Sequence, residues 1–369
     1  MTRGPGVATN TRLDPGPDLP FDPSDPVTRK TTRRARPGGR AVPGLVLLAV
    51  CAGCASHPRF AGPMKVRNQH PAQLTVLHLD PRGVDVPPPG GAEAVWTQAY
   101  TNLFLAGSGG GGSFAMDGEV WRSALAVRAG LGARFDLGVE LAAAHTTGGF
   151  LDDTVVGWHD LFDFPNNGRE RQPENRFRIT AVHRGATAWA VDEDGFEVLD
   201  VPITLGFNVL PITAERPVGV TLRAGLELPV GDDERGYGSG EVETALGLVA
   251  EWRTRWFALT AHAQHTFAGT PKPARRAGLR FRDVTGAGLG VEVPLDDRWT
   301  LLAQTEVETS TLRELGFDEV DDVQALLWTG LRARLGERWH VEFGLGEDLS
   351  PDVAPDFSLW FALGASFGG

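Results

Sequence analysis

The sequence has few of the residues on which several classes of protein depend. It contains 2 cysteines and 3 methionines, and its net charge is -12. Both cysteines, Cys51 and Cys54, lie beside the first apolar run, so the chain beyond them has no thiol for a metal or redox site. Without a basic excess to neutralise phosphates, we expect no nucleic-acid partner. After the first apolar run no stretch of about 20 apolar residues follows, which excludes a spanning helix there.

The abundant residues favour strands joined by turns. The chain has 47 glycines, 19 phenylalanines and 10 tryptophans. Aromatic residues are enriched in strands and glycine in the turns between them, whereas helix bundles need neither. The composition therefore indicates an all-β protein.

A secretory signal is predicted near the N-terminus. The basic stretch Arg29–Arg40 precedes the apolar segment 41–50, and small residues follow, which is the layout of an export signal. The four residues 52–55 resemble a lipoprotein cleavage box around Cys54, although Cys51 stands where leucine is usual. Lipidation at Cys54 and ordinary cleavage near Ala55 both fit this pattern.

Alternation of apolar and polar residues is the main signal from Val95 onward. Apolar or small side chains occupy every second position from Trp121 to Leu131, and the other face carries Arg122 and Arg128. The same period of two recurs along the chain and predicts strands with two different faces. Alternation alone fits both a soluble β-sandwich and a transmembrane barrel.

The connections between these stretches favour the barrel. Four stretches begin with an arginine and an aromatic residue directly after a tight turn: Arg134-Phe135, Arg255-Trp256, Arg298-Trp299 and Arg338-Trp339. The connection at the other end of each stretch is longer and rich in Gly, Asp or Pro. Outer-membrane barrels have short periplasmic turns, long outer loops and aromatic girdles at both interfaces.

We predict a transmembrane antiparallel β-barrel of about twelve strands. The predicted strands are 94–106, 116–132, 135–147, 198–210, 218–229, 240–252, 256–267, 279–293, 299–311, 323–335, 339–348 and 356–367. This count needs residues 147–197 to form one outer loop, with a short helix and a hairpin of 177–183 with 186–191. The predicted organisation is a leader and signal at 1–55, an N-terminal periplasmic segment at 56–92 and the barrel at 93–369.

The charged face of the predicted strands would point into the lumen. The predicted lumen charges are Arg122, Arg128, Arg223, Arg280, Arg282, Arg332 and Arg334 with Asp136, Glu140, Asp200, Glu227, Glu241, Glu243, Glu251, Glu292, Glu306, Glu308 and Glu342. Buried charges need partners, so a narrow barrel would hold them as ion pairs in a plugged core. A wider barrel would leave a polar path whose acidic excess favours cations. Both interpretations stay open.

The predicted loop helix carries an apolar stripe at helical spacing. The stripe consists of Leu151, Val155, Trp158 and Phe162, and the polar side carries Asp152, Asp153, His159, Asp160 and Asp163. A histidine among carboxylates could act as a base or a cation ligand. Acid-rich exposed helices need no such role, and no nucleophile lies at a defined spacing. We expect the stripe to pack on the barrel mouth, with no metal, no cofactor and no catalytic residue.

His145 is a second histidine that invites a chemical interpretation. Its parity places it on the lipid face, at the outer end of its strand, where some outer-membrane lipid hydrolases hold a histidine. No G-x-S-x-G motif accompanies it. A structural histidine at the membrane interface is the alternative.

Several short motifs resemble a known family. Arg67–Gln69, Asp117–Glu119 and above all the loop motif from Gly148–Asp152 through Trp158-His159 to Pro165–Arg169 resemble an uncharacterised family of Gram-negative outer-membrane barrel proteins. The resemblance covers about residues 66–369. It implies the barrel fold and a location in the outer membrane of a Gram-negative bacterium, with outer-membrane lipid and the barrel-assembly machinery as expected partners. It implies no activity.

Three functions are compatible with such a barrel. The first is a channel or transporter for small solutes. The second is a structural or adhesion-type barrel that acts through its long outer loop. The third, a lipid-modifying enzyme, has the weakest support because no catalytic group accompanies the histidines.

Overall fold

The molecule is described from a computed structural model, over residues 60–162, 169, 173–350 and 353–368. The predicted leader, the lipidation candidate Cys54 and the part of the loop motif at 165–168 lie outside the described residues.

Strands dominate the described residues. They are β1 (Ala92–Gly109), β2 (Gly112–Gly130), β3 (Phe135–Thr147), β4 (Arg178–His183), β5 (Ala186–Val191), β6 (Gly195–Val198), β7 (Val201–Leu210), β8 (Val218–Leu228), β9 (Glu243–Arg253), β10 (Ala258–Phe267), β11 (Val284–Pro294), β12 (Trp299–Thr309), β13 (Val323–Leu335), β14 (Trp339–Asp348) and β15 (Phe357–Phe367). All except β4, β5 and β6 pair in one closed antiparallel barrel, because β1 pairs with both β2 and β15. The predicted twelve-strand barrel is confirmed.

Some predicted strand bounds were wrong. The predicted strand 279–293 begins only at Val284, and 198–210 is divided between β6 and β7. The predicted strands 94–106 and 116–132 are longer than expected, since β1 and β2 continue through the glycine-rich residues 107–112 to a turn at Gly110 and Gly111. Glycine lacks the side chain that marks a strand face, so alternation cannot reveal strands in such a run.

The barrel has two different ends. Short turns join β2 to β3, β9 to β10, β11 to β12 and β13 to β14 at one end, here called the turn end. The start of β1 and the end of β15 also lie at the turn end. Apart from the tight turn between β1 and β2, the connections at the opposite, loop end are long. Phe135, Trp299 and Trp339 point outward close to the turns, as the arginine–aromatic pattern predicts. Higher on the wall, outward side chains such as Leu141 and Leu246 are 58% and 61% exposed. This apolar outer surface is that of a barrel surrounded by lipid.

Residues 60–91, here called the plug, form a hairpin inside the barrel. One limb rises from Gly62, which contacts Glu292 near the turn end, to helix α1 (Pro71–Leu74) near the loop end. The other limb descends to Val84, and β1 follows. We expected a periplasmic segment at 56–92, and the structure differs. The segment carries apolar side chains whose exposure to water would be unfavourable, and the barrel lumen buries them. Met64 and Leu79, for example, are 0% and 2% exposed.

The long connection between β3 and β7 forms a small subdomain at the loop end. Helix α2 (Asp152–Phe162) and the β4–β5 hairpin lie where the sequence predicts them. The hairpin extends the sheet beside the protruding part of β2, and β6 pairs with the upper part of β3. Two further short helices in other loops, α3 (Lys272–Arg276) and α4 (Asp318–Asp321), join an apolar cluster that includes Trp189 and Phe281.

Candidate functional site

Most of the predicted lumen charges face inward. Those on inward positions of the barrel strands are Arg122, Arg128, Asp136, Glu140, Arg223, Glu227, Glu243, Glu251, Glu292, Glu306, Glu308, Arg332, Arg334 and Glu342, all buried or half-buried. Asp200 and Glu241 differ from the prediction because they lie beyond the strand ends. Asp200 accepts hydrogen bonds from loop amides at Gly231 and Ser239, and Glu241 pairs with Arg275. Arg280 and Arg282 also lie outside the strands, because β11 begins only at Val284.

The wall holds the plug through side chains that accept hydrogen bonds from the plug backbone. The pairs are Glu292 with the amide of Gly62 (2.9 Å), Glu243 with Leu77 (2.7 Å), Gln264 with Leu79 (2.6 Å) and Glu251 with Val84 (2.8 Å). In return, the hydroxyl groups of Thr221 and Thr266 donate to plug carbonyls. Apart from an isolated backbone bridge between Pro89 and Gly130, where the plug leads into β1, these are single side-chain contacts. The plug is therefore held by the sheet without forming one of its strands.

Arg332 is the centre of a buried ion cluster near the turn end. Its guanidinium binds Glu292 and Glu342, each at 2.6 Å, and donates to the carbonyl of Gly62 at 2.7 Å. The three charged side chains are 7% exposed or less. A second pair, Arg82 of the plug with Asp136 of β3, spans 2.6 Å. Both clusters therefore join the plug to the wall through charge-assisted hydrogen bonds, the stronger class.

Inward-facing glycines make room for the apolar side chains of the plug. A Cβ atom on Gly225 or on Gly247 would lie 2.8 Å from a Cδ atom of Leu79. One on Gly330 would lie 3.0 Å from the sulfur of Met64. The wall is thus shaped to the plug, and larger residues at these positions would displace it.

Glu119 organises the start of the outer loop. It lies on the outward face of β2 yet is 0% exposed, because the loop covers it. Its carboxylate accepts hydrogen bonds from the amides of Phe150 and Leu151 at 3.0 and 2.6 Å, and from Tyr100 and Asn102. The loop is therefore bound to the outside of the barrel wall.

The predicted loop-motif residues divide into buried and exposed members. Asp152 accepts hydrogen bonds from Arg169 (2.6 Å) and Asn102 (3.0 Å), and Arg169 also binds Asp356. We expected His159 on a solvated face, but it and Asp152 are buried, whereas Asp153 and Asp160 are exposed.

Three members of the apolar stripe of α2 pack on the outer face of the barrel wall near the loop end, whereas the side chain of Phe162 lies outside the described part of the chain. Leu151 and Val155 are buried against Phe357 of the wall, and the Trp158 ring lies 5.9 Å from the Phe357 ring. Together with the Asp152–Arg169 contacts, this packing indicates that the loop motif docks the loop on the barrel.

Gly149 offers a test of this docking. Its φ is +78°, and an added Cβ would overlap the carboxyl group of Glu119. We expect Gly149→Ala to weaken docking of the loop by roughly 1–3 kcal/mol through backbone strain and overlap, measured as faster protease cleavage between residues 148 and 176. Gly157→Ala is the matched control, because nothing lies within 4 Å of that position. Equal cleavage of both variants would contradict the docking role.

The chemical interpretations of the histidines gain no support from the described residues. His145 lies between Trp121 and Phe196 in the sheet, and its ring makes no hydrogen bond or ion pair with any described residue. Within the same part of the chain, no group of three or more potential metal ligands comes together. Nor does any helix described there have the length and apolar character to cross a membrane.

Comparisons with known proteins agree on the fold. The profile of a family described as "Protein of unknown function (DUF3187)" matches residues 42–368. No curated protein matches the chain. Among solved structures, the COG4313 outer membrane channel from Pseudomonas putida F1 is similar with a TM-score of 0.52 and 13% identity, over 79% of this chain and 100% of that one. This likeness shows the fold of a Gram-negative outer-membrane barrel.

Two further outer-membrane barrels show a weaker likeness. The KdgM porin matches with a TM-score of 0.39 and 8% identity, over 75% of this chain and 99% of the other. The CymD monoaromatic hydrocarbon channel matches with 0.37 and 11%, over 84% and 95%.

Proposed function

This chain belongs to the DUF3187 family of proteins of unknown function, and we propose, from the geometry of its lumen, that it is a channel for small solutes in the outer membrane of a Gram-negative bacterium, closed by its own plug. The observation that carries this proposal is the mode of attachment of the plug. Side chains of the wall hold it at separate points, such as Glu243 and Glu251. A segment held in this way can leave without breaking the barrel sheet.

The size of the barrel supports a channel. Barrels of eight strands are just filled by their own side chains, whereas porins of sixteen strands leave an aqueous channel. Twelve strands lie between these cases, and here an extra segment fills the interior. Inward glycines such as Gly225 and Gly247 widen the lumen further where the plug packs. When the plug leaves, these positions would line a polar, water-filled path.

The alternative functions have less support. The long outer loop was the proposed working part of an adhesion-type barrel, but Asp152 binds Asn102 of β1 and Arg169 binds Asp356, both outside the loop. A lipid hydrolase would need a nucleophile beside a histidine, and His145 lies between two aromatic residues of neighbouring strands. The lumen is thus the better candidate.

A disulfide between plug and wall tests the channel. A Cβ on Gly290 would lie 3.0 Å from that of Pro63, close to the roughly 3.5–4.5 Å of a disulfide. We expect the Pro63→Cys/Gly290→Cys protein to pass no current in planar bilayers when oxidised and to regain wild-type current after reduction. The single variants are the controls. Current through the oxidised protein equal to that of the wild type would contradict opening by plug movement.

Export and lipidation complete the proposal. We infer that the signal near residues 29–55 directs the chain to the outer membrane, where lipid surrounds it after insertion by the barrel-assembly machinery, and that Cys54 carries a lipid. Radiolabelled palmitate should enter the wild type and the Cys51→Ser variant but not Cys54→Ser. Equal labelling of the Cys54→Ser variant would exclude Cys54 as the modified residue.

A further inference from the structure

A small cavity lies between the plug and the wall formed by β2, β3, β7 and β8. Its volume is about 60 Å³. The cations that line it are Lys65 and Arg82 of the plug and Arg128 and Arg223 of the wall, and the carboxylates that line it are Asp80 and Glu140. Cations from both plug and wall therefore meet at one space.

The carboxylates near this cavity already have partners. Asp136 binds Arg82, Glu140 binds Arg122 outside the cavity, and Asp80 contacts His78 at 3.2 Å. Arg128 is paired too, with Glu93 at 2.6 Å. None of these contacts satisfies Lys65.

Several donors around the cavity have no acceptor. The Lys65 ammonium makes no hydrogen bond or ion pair with any residue that the structure describes, and the same holds for the Nε atoms of Arg82 and Arg223. Arg82 and Arg223 are 6% and 8% exposed. Lys65 is half-buried, and the Nε–H groups of Arg82 and Arg223 are removed from water without an acceptor, which is costly. An acceptor from outside the chain would therefore stabilise this group of donors.

The opposite side of the lumen shows the contrast. There the carboxylates of Glu243, Glu251 and Glu292 accept hydrogen bonds from backbone amides of the plug. These acidic side chains therefore hold the plug in place, whereas the cations around the cavity keep donors that have no acceptor among the described residues.

We propose that this cavity binds a small anion, a carboxylate or phosphate group, held between the plug and the wall by Lys65, Arg82 and Arg223. Given the proposed channel function, on which this part rests, anionic small solutes are the class that the channel carries. This differs from the cation preference that the acidic composition suggests.

The size of the cavity limits what it can hold in the closed state. One water needs about 10–15 Å³ by this measure, so about 60 Å³ accepts a single carboxylate or phosphate group. The rest of a larger solute would require movement of the plug. The anionic group would then contact the plug directly, so binding and opening would be coupled.

Binding to the intact protein in detergent tests the site without any need for conductance. We expect inorganic phosphate and acetate, but not choline, to raise the thermal midpoint of the wild type. Lys65→Gln should weaken phosphate binding roughly tenfold to a hundredfold, the worth of one or two charge-assisted hydrogen bonds. Arg298→Gln, at an exposed turn position, is the matched control. Arg223→Gln gives a second variant should Lys65→Gln fail to show heat-modifiable migration.

Selectivity separates the site from the channel. In a potassium chloride gradient, the reversal potential of the wild type should indicate a preference for chloride over potassium. Lys65→Gln should reduce this preference. Phosphate binding that survives Lys65→Gln and Arg223→Gln unchanged, or no binding to the wild type, would overturn the anion site even if the protein conducts. If phosphate binding depends on Lys65 but the protein never conducts, the anion site is supported and the proposed channel function is wrong.

Discussion

Deletion of residues 63–82 is expected to convert a closed barrel into an open pore. The deletion is geometrically feasible because the two limbs of the plug meet at the turn end, where a Cβ on Gly62 would lie 2.5 Å from the amide nitrogen of Gly83. Joining these residues directly removes the limbs and α1 but keeps Val84 bound to Glu251. The vacated lumen would fill with water because its wall is polar. Planar-bilayer recordings should change from the intermittent openings expected of the wild type to continuous current.

The control for this deletion is a change in the outer loop. Gly149→Ala is expected to weaken docking of the loop but to leave the plug in place, so its current should equal that of the wild type. Both proteins must show heat-modifiable migration, which demonstrates a folded barrel. A folded deletion variant without current would rule out the plug as the closing element.

Replacement of Arg332 by methionine is expected to have the largest effect on stability. The side chain is 7% exposed and binds two carboxylates that are 2% and 5% exposed. Without it, Glu292 and Glu342 would be left as buried, uncompensated charges, a change that typically costs about 3–5 kcal/mol. The free energy of unfolding in detergent, measured with urea, should fall by about this amount. The plug should also loosen, because Arg332 binds the carbonyl of Gly62.

Two variants show whether this effect comes from charge. Arg298→Met removes an exposed arginine and should change stability by less than about 0.5 kcal/mol. The triple variant Arg332→Met/Glu292→Gln/Glu342→Gln removes all three charges, and it should recover most of the lost stability because buried ion clusters can be replaced by neutral groups. If the triple variant is as unstable as Arg332→Met, packing is the main contribution of Arg332.

The wall of the barrel could be predicted from the sequence, because a strand with one face in lipid and one in a polar lumen must alternate. Leu141 and Glu140 are neighbours in sequence, yet one is 58% and the other 8% exposed. The loop helix could be predicted equally well, since Leu151 and Val155 lie at the spacing of an amphipathic helix that packs one face.

The plug could not be found in this way. Its residues run as two irregular limbs, whose backbone groups bind side chains such as Glu292 and Glu243 far away in sequence. No period of two or 3.6 results from such contacts. The available signal was different: apolar residues such as Met64 and Leu79, in a segment assigned to the periplasm, indicate a buried location. Likewise, the partners of Asp152 could not be inferred, since Arg169 and Asn102 meet it only after the loop has folded.

The plug is directly continuous with β1, the strand that closes the barrel against β15. A displaced plug therefore stays within a few residues of the mouth it left, at an effective concentration of about the millimolar range expected for short linkers. Reclosure is then a first-order event, with a rate that does not depend on how many copies the membrane holds. The dwell time of the open state should stay constant as more protein is reconstituted, while only the number of openings rises.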